Sequence, residues 1–277
     1  MRIGVVSPAR SIDILVENRV KALIALTFPE VDIVFHPQCF MVEGHFAGSD
    51  AVRAAAFLEF ANDAGIDAIW FARGGYGSNR ILETILPQLN AAAKRKTYLG
   101  YSDMGFMLGA LYARRIGRPA HGPMPSEVGR KNDAAHCVSR ALAWLVNGDR
   151  KSLEPTIDSP AGSRRPHAAF NLSILTSLIG SKYLPDLTDH VLMIEEVSEP
   201  LYRVDRMLFT MAHATQLKGI AGVRLGQVND VIDNDVTFNE TPEQMIVRWC
   251  AEMGVPYLGR AQIGHYADNC VVPFGVA

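Results

Sequence analysis

The stretch GYSDMG (100–105) sets a serine and an aspartate between two glycines where an apolar run ends. A serine hydroxyl becomes a nucleophile only when a base accepts its proton and a carboxylate holds that base in one tautomer. Ser102 therefore matters only if the chain supplies both partners, because turns use Ser and Gly on their own account. The stretch is close to the G-x-S-x-G elbow, in which a sharp strand-to-helix turn lifts the hydroxyl into the open, but Met104 stands where the second glycine belongs.

Eight histidines offer a base. His36, His136 and His213 fall inside predicted strands or helices and read as packed or surface residues. His121, in AHGPM, follows another strand and could line a cleft. His265, in IGHYADN after a strand near the C-terminus, is the better candidate. For the carboxylate, Glu195, Glu196 and Glu199 cluster in MIEEVSEP, and Glu195 directly follows the apolar VLMI, where a strand end would hold it. Asp103 is too near Ser102 along the chain to orient a distant histidine. Its backbone N–H, at the start of the next helix, is instead a suitable oxyanion donor. A second donor is expected from RGGYGSNR (73–80), whose consecutive glycines let backbone approach a ligand closely. As a phosphate cradle that stretch lacks the Lys-Ser/Thr ending of a P-loop and does not fit the dinucleotide fingerprint.

These groups must be positioned by an alternation of strands and helices. IGVVS (3–7), VDIVFH (31–36), AIWFAR (68–73) and TYLGY (97–101) read as buried strands. Helical periodicity lies between them, with Asp50 as expected N-cap of an Ala-rich helix and NRILETILPQL as a short one. Strands apolar on both faces imply a parallel sheet covered on two sides, with its ligand site beyond the strands' carboxyl ends. Both RGGYG and Ser102 follow strands directly, so one sheet edge carries both. The irregular stretch around NGDRKSLEPTIDSPAGSRRPHAAF reads as a linker. Then come a helix (NLSILTSLIG), a strand (HVLMIEEV, 190–197), a helix from about Val204 to Leu217, a strand (GIAGVRLGQV), and a helix opened by TPEQ. There Thr241 is N-cap, Pro242 is N1 and Gln244 closes a capping box. Two short strands end the chain. The expected architecture is α/β: a doubly wound, mostly parallel nucleophile domain (1–152), a linker (153–167) and a smaller C-terminal α/β domain (168–277).

Composition narrows the function. Of 277 residues 48% are hydrophobic and 20% charged, and 27 Lys and Arg face 29 Asp and Glu, which lacks the basic excess that nucleic-acid binding uses. No run approaches the ~20 apolar residues of a membrane span, and the N-terminus lacks a signal-peptide core. A cytoplasmic protein is expected. Cys39, Cys137, Cys250 and Cys270 are scattered without metal-binding spacing and read as free, mostly buried thiols.

Taken together, IGVVSPA, ARGGYGSNRIL, LGYSDM, HGPM, NLSIL, VLMIEEVSEPLYRVDRML, GVRLGQ and IGHYADNCVVPFG, in that order along nearly the whole chain, resemble the S66 serine peptidases. That family comprises the LD-carboxypeptidases and the microcin C self-immunity peptidases. The resemblance implies a Ser-Glu-His triad between two domains: Ser102 as nucleophile, Glu195 as carboxylate and His265 as base, with the backbone N–H groups of Asp103 and Gly75 as oxyanion hole. It implies release of D-Ala from an L,D-bond of a muropeptide tetrapeptide, with no metal or cofactor, by a homodimer. Arg73, Tyr76, Arg80 and Asn171 are then the expected substrate-binding residues, Arg73 or Arg80 facing the free carboxylate of D-Ala. The alternative substrate is the peptidyl- or aminoacyl-nucleotide amide of the microcin branch. A non-enzymatic binder is a third reading, opposed by the filling of all three triad positions. Two departures bear on the cleft: AAFNL stands where many members read G-G-N-L, and the linker is short.

Overall fold

The computed structural model describes residues 1–129, 135–157 and 165–276. The first half runs β1 (Arg2–Val6), α1 (Ile14–Thr27), β2 (Asp32–Phe35), α2 (Asp50–Asn62), β3 (Ala68–Phe71), α3 (Leu82–Ile85), β4 (Thr97–Gly100), α4 (Gly105–Ala113), β5 (Arg118–His121) and α5 (Ala135–Asn147). The second half runs β6 (His167–Asn171), α6 (Leu172–Leu178), β7 (Val191–Val197), α7 (Leu201–His213), β8 (Gly222–Asn229), α8 (Pro242–Met253), β9 (Tyr257–Arg260) and β10 (Val272–Pro273). Part of the expected linker, 158–164, lies outside the described residues.

Strand-helix alternation leaves parallel pairing as the short route between neighbours. The first sheet has the order β10-β5-β4-β3-β1-β2, parallel except for β10, and the second is β6-β7-β8-β9, parallel throughout. The mixed α/β architecture thus matches the sequence expectation. Neighbouring residues of a strand point to opposite faces, and the core divides accordingly. Ile69 and Phe71 join the apolar cluster that holds Phe57, Met107, Phe170 and Ile194. Trp70 and Ala72 join the other, with Val5, Leu99, Cys137 and Leu142. Each cluster takes residues from both sheets, so the halves share their core. Among the described residues no helix is long and apolar enough to cross a membrane.

The last strand matters most for function. β10 comes from the C-terminal segment yet pairs antiparallel with β5 of the first sheet, Val272 opposite His121 and Pro273 opposite Ala120. His121 in turn sits in register with Gly100 of β4. The chain just after His265 is thereby fastened to β5, the neighbour of the strand that leads to Ser102.

Local signals held with two corrections. Ser49, not Asp50, caps α2: its side chain accepts from the Val52 N–H at 3.3 Å. Asp50 falls at the first helical position, where the helix dipole favours its charge, and its carboxylate pairs with Arg53 and with Arg80 (2.9 Å). The stretch NRILETILPQL is a four-residue α3 between two 3₁₀ turns, Ser78–Ile81 and Leu86–Gln88. Pro87 supplies no N–H to a longer helix. At α8 the full capping box is present, Thr241 Oγ1 accepting from Gln244 N–H at 3.2 Å and Gln244 Oε1 from Thr241 N–H at 2.8 Å. Thr241→Ala is expected to remove about 1 kcal/mol of stability and to lower the thermal midpoint by roughly 2–4 °C, read by calorimetry. An unchanged midpoint would show that α8 does not need its cap.

Candidate active site

Ser102 stands where β4 ends. The extended Tyr101 leads into it, Ser102 itself adopts φ 60°, and a 3₁₀ turn (Ser102–Met104) passes into α4. A left-handed conformation on a residue with a Cβ costs about 1–3 kcal/mol and persists only where its surroundings enforce it. The close neighbour is Gly74: a Cβ there would lie 2.9 Å from both Cβ and Oγ of Ser102. Only a glycine lets the β3 loop come so near the hydroxyl. Asp103 behind it is buried, its Oδ2 accepting from the Ser78 N–H (3.0 Å) while the Ser78 hydroxyl donates to the Asp103 carbonyl (2.8 Å). Burial pushes the Asp103 carboxyl pKa up, against the lowering effect of the Ser78 contacts. Its side chain thus ties the elbow to the glycine loop.

Glu195 comes from β7 on the other sheet, and period-two geometry parts it from Glu196. Glu195 Oε2 accepts from His265 Nδ1 at 2.8 Å, with the carboxylate side chain fully buried and the imidazole 11% exposed. A carboxylate can only accept, so Nδ1 carries the proton and Nε2 is left with its lone pair. Glu196 faces the opposite way and is consumed by structure. Its Oε1 accepts from Asn171 Nδ2 (2.7 Å) and Val197 N–H (2.9 Å), and its Oε2 from the N–H (2.8 Å) and hydroxyl (2.7 Å) of Ser173. Burial raises its pKa, and the same hydrogen bonds oppose that rise.

A bulge aims Glu195. Between the pairs Ile194–Leu225 and Glu196–Val228, two residues of β8, Gly226 and Gln227, lie opposite Glu195. A Cβ on Gly226 would fall 2.7 Å from the Ile263 carbonyl and 3.0 Å from Glu195 Cβ, so the glycine admits both the carboxylate and the His265 loop. The imidazole also lies against Tyr101, ring centroids 4.7 Å apart, which sets it beside the Ser102 elbow. The Tyr101 hydroxyl is held by Glu127, which also accepts from the Met124 N–H at 3.0 Å.

Comparison with known proteins identifies the family and agrees with the two-sheet α/β fold. Residues 3–122 match the LD-carboxypeptidase N-terminal domain and 168–277 its C-terminal domain. The chain belongs to the S66 LD-carboxypeptidase family. It is 28% identical over 240 residues to a probable murein peptide carboxypeptidase of Bacillus subtilis, covering 84% of this chain and 74% of that one. It is 26% identical over 230 residues to the murein tetrapeptide carboxypeptidase of Pseudomonas aeruginosa, covering 76% and 71%. In fold it superposes on muramoyltetrapeptide carboxypeptidase from Oxalobacter formigenes with TM-score 0.80 at 20% identity, covering 98% and 93% of the chains. It likewise superposes on the microcin C7 self-immunity protein MccF in complex with glutamyl sulfamoyl guanosine, TM-score 0.78 at 17% identity, covering 99% and 91%.

In this S66 peptidase the remaining expected site residues take different places. Gly75 is exposed with φ 121°, and its α-carbon faces the side chain of Arg10. Tyr76 is 50% exposed, with its ring 6.1 Å from those of His45 and Phe46. Arg73 is half-buried, its Nη1 3.5 Å from the Ser11 carbonyl. Arg80 is drawn away to Asp50 and lies over the Phe46 ring. Asn171 is buried as the N-cap of α6, its Oδ1 accepting from the Ile174 N–H at 3.2 Å and its Nδ2 donating to Glu196. The consecutive glycines Gly74 and Gly75 read as a place of close approach in the sequence, and the structure makes Gly74 the one that meets Ser102. Gly226, Tyr101, Glu127 and Asn269 do not stand out as site residues in the sequence, although Gly226 carries one signal, a lone glycine inside a strand pattern, which commonly marks a bulge.

His121 is fully buried, beside Tyr101 (centroids 5.3 Å) and within the field of Glu195 and His265. Burial takes its pKa from 6.5 down to about 4, more than Glu195 and Asn269 raise it. The unfolded chain therefore holds a proton on His121 that the folded chain rejects across that window, and stability should fall as pH drops through it, by on the order of 3 kcal/mol in all. His121→Gln should remove one proton from the slope of unfolding free energy against pH there; an unchanged slope would mean that His121 is already charged in the fold. Gly226→Ala is expected to cost about 1–3 kcal/mol by overpacking and to slow labelling of Ser102 by a fluorophosphonate.

Proposed function

We propose that this chain is a serine L,D-carboxypeptidase that releases the terminal D-Ala of a cell-wall muropeptide tetrapeptide. The observation that carries the reading is the buried Glu195–His265 hydrogen bond of 2.8 Å set beside a serine at φ 60°. His265 Nε2 takes the proton of the Ser102 hydroxyl as Oγ bonds to the carbonyl carbon between the diamino acid and D-Ala. The oxyanion that forms is met by the N–H groups of Asp103 and Gly75. Glu195 stabilises the imidazolium without taking its proton. As the C–N bond breaks, the imidazolium gives its proton to the departing amine. Water, deprotonated by His265, then adds to the acyl carbon, and Ser102 leaves with the proton restored. Arg73, directly before Gly74 in the glycine loop, is the side chain assigned to meet the D-Ala carboxylate.

A second reading changes only the substrate. MccF is known in complex with glutamyl sulfamoyl guanosine, and here His45, Phe46 and Tyr76 form a partly exposed aromatic group beside the glycine loop. A nucleobase could stack there. Two relatives in sequence carry murein peptidase names, which favours the first reading.

Mass spectrometry of a muropeptide tetrapeptide after incubation should show loss of one D-Ala, with an aminoacyl sulfamoyl nucleoside left intact; the reverse would transfer the enzyme to the microcin branch. Ser102→Ala is expected to abolish release with the fold retained, and Glu195→Gln to lower kcat by about 10³–10⁴-fold. Turnover by Ser102→Ala would sink the assignment.

A further inference from the structure

His265 is held from two directions, and only one of them is the Glu195 carboxylate. Residues 264–269 form a closed turn, Tyr266 N–H donating to the Gly264 carbonyl at 3.0 Å and Asn269 N–H to the Tyr266 carbonyl at 3.3 Å. Asn269 closes it and is fully buried. Its Oδ1 accepts from the N–H of Gly264, the residue before His265, at 3.2 Å, and lies 3.3 Å from Nε2 of His121. A backbone N–H needs an acceptor, so the amide oxygen is the atom in this position, and His121 Nε2 must carry a proton to share it. The Asn269 carbonyl accepts from Arg140 Nη1 of α5 at 2.8 Å. Asn269 Nδ2, by contrast, is buried without a partner among the described residues. A merely space-filling role would not call for a side chain that strands half its amide.

We propose that Asn269 is a positioning residue for the general base: it fastens the His265 loop to the end of β5 through His121 and thereby sets the imidazole against Ser102. Glu195 anchors the ring to the second sheet, and Asn269 anchors its backbone to the first. His121 is in register with Gly100, the residue that ends the strand leading to Ser102. The bond from His121 to Asn269 thus transfers the nucleophile strand's position to the base. The inference rests on the assignment of His265 as base and Ser102 as nucleophile.

The test uses the full chain and a fluorophosphonate that labels Ser102 without needing the peptide substrate, together with kcat and KM for the tetrapeptide. Asn269→Ala should slow labelling and lower kcat by the same factor, about 10- to 100-fold for an imidazole displaced by an ångström or so, with KM unchanged. At the other end of the bond, His121→Gln keeps an amide donor near the Nε2 position and should stay within a few-fold of wild type, whereas His121→Leu should fall with Asn269→Ala. Labelling of Asn269→Ala at the wild-type rate overturns the proposal. So does equal labelling of His121→Gln and His121→Leu, a comparison that decides the matter if Asn269→Ala does not fold. Folded wild-type protein that takes no phosphonate at Ser102 overturns the serine mechanism itself, and this inference with it.

Discussion

The site depends on one hydrogen bond that joins the loop between β9 and β10 to strand β7, His265 Nδ1 to Glu195 Oε2 at 2.8 Å. The carboxylate side chain is wholly buried, so it has lost its hydration and the histidine is its counterpart. Leaving such a charge without that partner is expensive. The strength of the constraint is what makes it useful: in a low-dielectric surrounding it fixes both the tautomer and the direction of the ring. Everything else in the site either brings these two groups together or brings the serine to them.

Two devices do the bringing, and both depend on absent side chains. At Gly226 the extra residue of β8 turns the strand so that Glu195 can face the His265 loop, and at Gly74 the β3 loop closes on Ser102. The strained φ of Ser102 is sustained by what surrounds it: Asp103 tied to Ser78 on one side and Tyr101 held by Glu127 on the other. Strand β10 completes the arrangement. By pairing with β5 it returns the C-terminal segment to the first sheet, so His265 and Ser102 share a sheet framework although they lie far apart in sequence.

Much of this was legible in the sequence because local chemistry decided it. The capping box of Thr241 and Gln244 is a contact between near neighbours and needs no tertiary information, and the strand-helix alternation of the first half dictates a parallel sheet. Asp50 shows where such reasoning slips. Two adjacent residues could both cap α2, and the choice of Ser49 rests on the distant Arg80 and the buried Arg53, which claim the aspartate. Likewise Arg80 reads as a free cation in the sequence and is a paired one in the fold. Asn269 was beyond reach for the same reason. Its partner His121 lies far away in the chain, and neither residue matches a spacing rule.

The pair Glu195 and Glu196 shows how closely spaced carboxylates come to differ in use. Both are buried, both sit on β7, and in composition they are identical. Alternation sends one to each face of the sheet, and what each face offers decides the rest. Glu196 meets Asn171 and Ser173 at the start of α6, four acceptances that occupy both oxygens and leave nothing for chemistry. Glu195 meets a single histidine. A group saturated by fixed donors contributes rigidity. A group bound to one titratable partner gains interaction energy when that partner takes up a proton, and a general base requires that of its carboxylate. The neighbouring glutamate ties the strand end that carries Glu195 to Asn171 at the end of β6 and to Ser173 in α6.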